Sequence, residues 1–155
     1  MRWKLPPKIK IYEALGTLGD GRLEISGNSA KVRSSSGNKF YSVAYDPKAN
    51  AITSNDNSSY WVGYLGYPAI AFLLSKGVID YKPKFAEALG GIPWKEVNTK
   101  FKNDFEKTEG YIKDVLKKKD IDVGRFSEEI EKIYGEIKKL KLNKLGITPK
   151  PPAGY

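Results

Sequence analysis

The chain contains no cysteine and no histidine. Disulfides, cysteine and histidine zinc sites, thiol nucleophiles and imidazole acid-base catalysis are therefore excluded. Glutamine is absent and there is a single methionine, while lysine, glutamate, isoleucine and tyrosine abound. Thermolabile residues thinned beside many charged ones predict a hyperthermophile's protein. Long apolar runs are missing too. The longest, Ala69 to Leu74, falls far short of the roughly 20 residues that span a bilayer. The start MRWKLPPKIK lacks the apolar segment of a secretory signal. The expectation is a cytoplasmic protein with no membrane partner.

What is present is positive charge and aromatic rings. A formal charge of +9 and a pI near 9.5 favour a polyanionic partner such as nucleic acid, although lysine-rich surfaces also serve solubility. The length suits one domain with a real core, or a small domain with a helical element appended.

Periodicity divides the chain. Pro6 and Pro7 precede a first helix whose apolar positions Ile11, Leu15 and Leu18, with Tyr12, recur at helical spacing; it ends near Gly19 to Gly21. The period then changes to two in RLEIS, SAKVRS, KFYSVAYD and NAITS, separated by turn clusters. The fold class predicted is α+β: an N-terminal helix and a four-stranded antiparallel meander flanked by helices, then a C-terminal coiled-coil-like oligomerisation element. YPAIAFLLSKG reads as a buried helix closed by Gly77, and residues 82 to 92 hold a short one. From Trp94, the positions Val97, Phe101, Phe105, Ile112 and Val115 predict one long amphipathic helix ending at Lys117 to Lys119. A last helix begins near Ser127. Its heptad seam of Val123, Phe126, Ile130, Ile133, Ile137 and Leu140 predicts either an intrachain hairpin or a face that also joins subunits into a dimer or tetramer. The domains read as 1–92, a binding domain; 93–146, a helical self-association region; and 147–155, a proline-rich extended tail.

Candidate binding residues follow from alternation. Lys31 and Arg33 share one strand face, and Tyr41, Val43 and Tyr45 share another. Rings beside cations suit single-stranded nucleic acid, whose bases stack while its phosphates follow the positive charge. Equally, these tyrosines form a core face. The segment SNDNSSYWVGYLGYP is different, because Tyr60, Trp61, Tyr64 and Tyr67 sit on a backbone broken by Gly63 and Gly66, and cannot all face one core. Asn55, Asp56, Asn57 and Ser58 read as an Asx-type turn, or as side chains bonding base edges. Asp46 with Asp56, lacking a third carboxylate, makes a poor metal site. No metal, cofactor or catalytic residue is expected.

LPPKIKIYEALG, the DGR step into the meander, SNDNSSYWVGYLGYPAIAFLL, GIPWKEVN and the heptad-like last helix together resemble the ThermoDBP and ThermoDBP-related proteins of hyperthermophilic archaea, over most of the chain to about residue 142. The resemblance implies a single-stranded DNA binder without an OB fold. It also implies a hydrophobic cleft edged by basic residues, and helices that self-associate. Tyr41, Tyr45, Tyr60, Trp61 and Tyr64 are the candidate cleft rings, Arg22, Lys31, Arg33 and Lys39 the phosphate contacts, and Asn55 and Asn57 polar contacts. RNA binding stays open. The competing function is a protein interaction module whose aromatic cleft takes a peptide or a partner's helix; an enzyme is the weakest reading.

Overall fold

The computed structural model describes residues 1–153, so positions 154 and 155 of the expected tail lie outside the described residues. The fold is α+β, with an N-terminal helix, a five-stranded sheet and C-terminal helices. Strands β1 (Leu23–Ser26), β2 (Ser29–Arg33), β3 (Phe40–Asp46) and β4 (Ala51–Ser54) pair in sequence order, each antiparallel to the next. A fifth strand, β5 (Asn143–Lys144), joins the far edge parallel to β4.

Helix α1 (Ile9–Gly19) is apolar over most of its circumference and lies at the centre, buried from Ile9 and Ile11 through Thr17. Such a helix must be covered on several sides. It packs against α2 (Tyr67–Ser75), α3 (Pro83–Ala88), α5 (Phe105–Lys118) and α6 (Val123–Leu140). Its crossing with α3 is so close that a Cβ on Gly19 would lie 2.0 Å from the Ala86 carbonyl oxygen. Helix α2, buried from Pro68 to Leu74, fills the space between α1 and the sheet.

Two boundaries differ from the sequence reading. The helix expected from Trp94 to Lys119 is two helices, α4 (Trp94–Lys100) and α5. Lys102 and Asn103 take left-handed backbone angles, φ 52° and 60°. Asp104 then caps α5 by accepting a hydrogen bond from the Lys107 N–H. Helix α6 begins at Val123 rather than near Ser127, because the Asp122 carboxylate caps it through the Arg125 N–H.

The heptad seam faces inward. Phe126 packs edge-on to Tyr12 and to Phe85, with ring centroids 5.0 and 5.6 Å apart. Ile130, Ile133 and Ile137 are buried in the same core, and Leu140 is half-buried. The oligomerisation residues of the sequence reading are thus occupied within one chain, so joining subunits through them would mean opening that core. Residues on both sides of position 92 share this core, and β5 belongs to the sheet.

Candidate nucleic-acid interface

Cross-strand register decides where the predicted binding residues point. Directly opposed residues share a face, and β2 pairs with β3 as Val32 to Tyr41, Lys31 to Ser42 and Arg33 to Phe40. Tyr41 therefore joins the core with Val32, 4 % exposed and edge-on to Tyr67. Tyr45 packs edge-on to Phe72. Lys31 and Arg33 emerge on the opposite, outer face. The expected array of Tyr41 and Tyr45 beside Lys31 and Arg33 does not form: the sheet lies between them. The ring that shares the basic face is Phe40, 53 % exposed; matching apolar strand faces to one another would have found it.

Arg22 is buried, with Nε donating to Asp20 and Nη1 to the Arg33 carbonyl at 2.7 Å. Lys39 is buried as well. Asn55 is committed to structure, since its Oδ1 accepts the Ser42 N–H at 2.7 Å and its Nδ2 reaches the Lys150 carbonyl at 3.4 Å. That bond draws the proline-rich tail over the outer sheet face, where Pro149 lines a depression with Lys31, Ser42 and Thr53.

The aromatic segment forms a single π-helical turn, Ser58–Val62, closed by Gly63 at φ 87°. Asp56 organises it from beneath. Its carboxylate accepts from the Ser54 and Ser59 hydroxyls, both at 2.6 Å, and from the Ser59 N–H. Ser59 Oγ in turn accepts the Gly66 N–H, and a Cβ on Gly66 would lie 2.1 Å from Asp56 Oδ2. The Asx reading of this stretch matches that geometry. The Asp46 carboxylate accepts from the Lys48 and Ala49 N–H groups of its own turn. Among the described residues no three acidic groups gather to hold a metal.

Above this staple Trp61 stands 71 % exposed, edge-on to Tyr60 at 4.7 Å, with Val62 exposed beside it. The N-terminal segment runs along the same turn: the Lys4 N–H bonds the Gly63 carbonyl, and Lys4 Nζ approaches the Val62 carbonyl. On its other side the segment bridges Arg2 to Asn143. A groove of about 260 Å³ lies here, floored by Trp3, Leu5, Leu65, Ile137 and Leu142 and edged by Arg2, Lys4, Lys138 and Lys141; none of its described lining residues is acidic. Lys144 Nζ sits 4.9 Å above the Trp3 ring. Sequence reasoning missed Arg2, Trp3, Lys4 and the Lys138 to Lys144 cations. Their one signal was cationic residues flanking Trp3.

A second, polar cavity of about 440 Å³ opens between α1, the Ser34–Ser36 turn, the residues after β4, and α4. It collects Arg22, Tyr41 and Asn57 from the sequence candidates, and adds Lys10, Glu13, Tyr67, Trp94 and Asn98. Tyr64 does not line this cavity; it is half-buried and its backbone bridges to Lys4 of the N-terminal segment. Burial works to lower the Lys10 pKa, but the Glu13 carboxylate at 3.3 Å and the Tyr64 hydroxyl outweigh it and hold it above the ordinary lysine value. Burial first, then Glu13, raises the Tyr67 phenol far above its usual range, against the opposing pull of Arg22. Tyr12 is raised by burial and by Glu109.

These shifts share one sign. The Lys10 contribution is fully present below pH 10.5, its unperturbed value, and is lost as pH rises through the higher folded value. Tyr12 and Tyr67 keep their protons while the unfolded chain ionises above its ordinary value of 10.0, which also favours unfolding. Melting temperature is expected to hold steady from neutral pH and to fall above about pH 10, less steeply in Tyr67→Phe. Equal melting at pH 8 and pH 11 would contradict this.

A family model described as uncharacterised conserved protein UCP014422 matches residues 3–143. The chain belongs to that family. No curated protein and no solved structure matches the chain. The UCP014422 span contains the whole polar cavity and, apart from Arg2, the whole basic groove. No helix among the described residues is long and apolar enough to cross a membrane.

Proposed function

We propose that the chain is a non-enzymatic, sequence-tolerant binder of single-stranded DNA, and that the strand runs over Trp61 and along the basic groove at Trp3. The observation that carries the reading is a largely exposed tryptophan beside a groove whose charged edge is wholly cationic. Bases stack on such a ring whatever their identity, while the phosphates follow Arg2, Lys4, Lys138, Lys141 and Lys144. An aromatic cleft edged by cations is also what the ThermoDBP resemblance implies; Trp61 is common to both readings, while Trp3 and the cations of the groove are different residues from those first singled out. A sheet-borne tyrosine platform is not part of the proposal, because Tyr41 and Tyr45 are turned into the core.

Fluorescence anisotropy with a labelled oligonucleotide tests it. Single strands are expected to bind more tightly than duplex. The logarithm of affinity is expected to fall with the logarithm of salt at a slope of about −3, the value for five cations partly neutralising a single strand. Trp61→Ala is expected to weaken binding about tenfold, the loss of one stacked base. Absent binding at low salt would sink the reading. Binding of a peptide with little salt dependence would instead assign the apolar floor of Leu5, Leu65, Ile137 and Leu142 to a partner protein. Parallel titration with RNA of the same sequence reports on the 2′-hydroxyl.

A further inference from the structure

Residues 2–5 do more than border the groove at Trp3. Alternation along this short extended segment leaves Arg2 and Lys4 exposed and turns Trp3 inward. Its backbone is bonded on both sides. Toward β5, the Trp3 N–H donates to the Leu142 carbonyl at 3.0 Å and the Met1 carbonyl accepts the Lys144 N–H at 2.6 Å. Toward the aromatic turn, the Lys4 N–H donates to the Gly63 carbonyl at 3.1 Å and the Lys4 carbonyl accepts the Leu65 N–H at 3.2 Å. The segment is thus a clasp, joining the residues that follow α6 to the turn that carries Trp61.

Trp3 fastens this clasp. It is 9 % exposed and belongs to the main core, and its Nε1–H donates to the Ile52 carbonyl of β4 at 2.8 Å. A ring so placed is an anchor rather than a platform on which bases stack. Lys144 Nζ lies 4.9 Å from the ring centroid, where the π face attracts it, and a Cβ on Gly63 would lie 3.4 Å from the same Nζ. One ammonium is therefore held between the anchor and the end of the Trp61 turn. Lys4 Nζ reaches the Val62 carbonyl at that same end, at 3.4 Å. Of the five cations on the proposed strand path, Arg2, Lys4 and Lys144 owe their positions to the clasp, whereas Lys138 and Lys141 are carried by α6 and its C-cap.

We propose that Trp3 is the positioning residue of the strand-binding surface: by seating residues 2–5 between β5 and the Trp61 turn, it aligns Arg2, Lys4 and Lys144 beside Trp61. The proposal rests on the single-strand reading and adds to it how the surface is assembled. Unclasped, the segment would carry the same charges, but they would have to be ordered at an entropic cost each time a strand bound.

Amide hydrogen exchange and oligonucleotide titration of the full chain test it together. In Trp3→Ala without oligonucleotide, exchange at the Lys4, Leu65 and Lys144 amides is expected to quicken at least about tenfold while that of the α1 amides stays slow, the signature of a local opening. Unchanged exchange would overturn the latch whether or not the chain binds DNA. In the same variant the slope of log affinity against log salt is expected to shrink from about −3 to about −1, the value for Lys138 and Lys141 alone. Trp3→Phe keeps a ring beneath Lys144 and is expected to restore most of the slope. Quickened exchange with the slope unaltered would show a clasp that positions nothing, and would also overturn the proposal. A wild-type chain that binds no oligonucleotide fails the single-strand reading instead, and the exchange result still stands by itself. If Trp3→Ala does not fold, the wild type decides: saturating oligonucleotide is expected to slow exchange at these three amides about tenfold, since a ligand of the clasped form opposes its opening, and exchange indifferent to oligonucleotide overturns the assignment.

Discussion

Asp56→Ala is expected to lower stability by about 3 kcal/mol, and to weaken single-strand binding as well, although Asp56 touches no proposed ligand position on the Trp61 surface. The carboxylate is buried and collects the Ser54 and Ser59 hydroxyls and the Ser59 N–H. Truncation leaves two buried hydroxyls and one buried amide with no acceptor, and each orphaned group costs about 1–3 kcal/mol, partly relieved by entering water. A domain of this size loses about 2–4 °C of melting temperature per kcal/mol, so a fall of roughly 6–12 °C is expected. Asp56→Asn keeps the shape and one acceptor oxygen, and should fall between. The binding loss follows from position: the staple fixes both ends of the turn that carries Tyr60 and Trp61, from Ser54 to Gly66. Freed, that turn orders only at an entropic cost on binding. An Asp56→Ala protein melting within a degree of wild type would show the staple to be dispensable.

The fate of this segment shows what the sequence could and could not disclose. The Asx character of Asp56 was legible, because side chains of this type bond backbone N–H groups two or three residues on. That Gly66 must be glycine for a different reason, close approach of the Asp56 carboxylate, was not legible, since it depends on a tertiary contact. Strand alternation correctly paired Lys31 with Arg33 and Tyr41 with Tyr45, but alternation within a strand says nothing of which face is covered. Register between β2 and β3 supplied that, placing Tyr41 opposite Val32 and Phe40 opposite Arg33. The break between α4 and α5 was hidden because Phe101 and Phe105 continue the apolar spacing across it. Its trace was Asn103 and Asp104, residues that favour left-handed backbone and N-caps. Strand β5 is two residues long and has no period to read. Both candidate sites were invisible as units. The groove joins Arg2 to Lys141, and the cavity joins Lys10 to Asn98, and no local spacing encodes such pairings.

Replacing Ile133 and Ile137 by lysine distinguishes the two roles that a heptad seam can play. Were α6 to present this seam to another subunit, the variant would lose mass and keep its fold. The packing predicts the opposite. Both side chains lie inside the chain, on the helix whose Phe126 is wedged against Tyr12 of α1 and Phe85 of α3. Polar ties hold α6 in that orientation. Glu129 accepts the Lys82 N–H at 2.6 Å, and Glu131 pairs with Lys8. Removing a buried isoleucine side chain alone costs about 2–5 kcal/mol, and the ammonium that replaces it must be desolvated or deprotonated. Two such removals cost about 4–10 kcal/mol before either charge is counted, against the roughly 5–15 kcal/mol that holds a domain of this kind together. Ile133→Lys/Ile137→Lys is therefore expected to be unfolded or insoluble, with helical circular dichroism collapsed. Lys139→Ala, whose ion pair with Glu136 on the same helix is open to solvent, is expected to melt as wild type does. A folded double variant of unchanged melting temperature and reduced mass would return the seam to the subunit interface and remove α6 from the core.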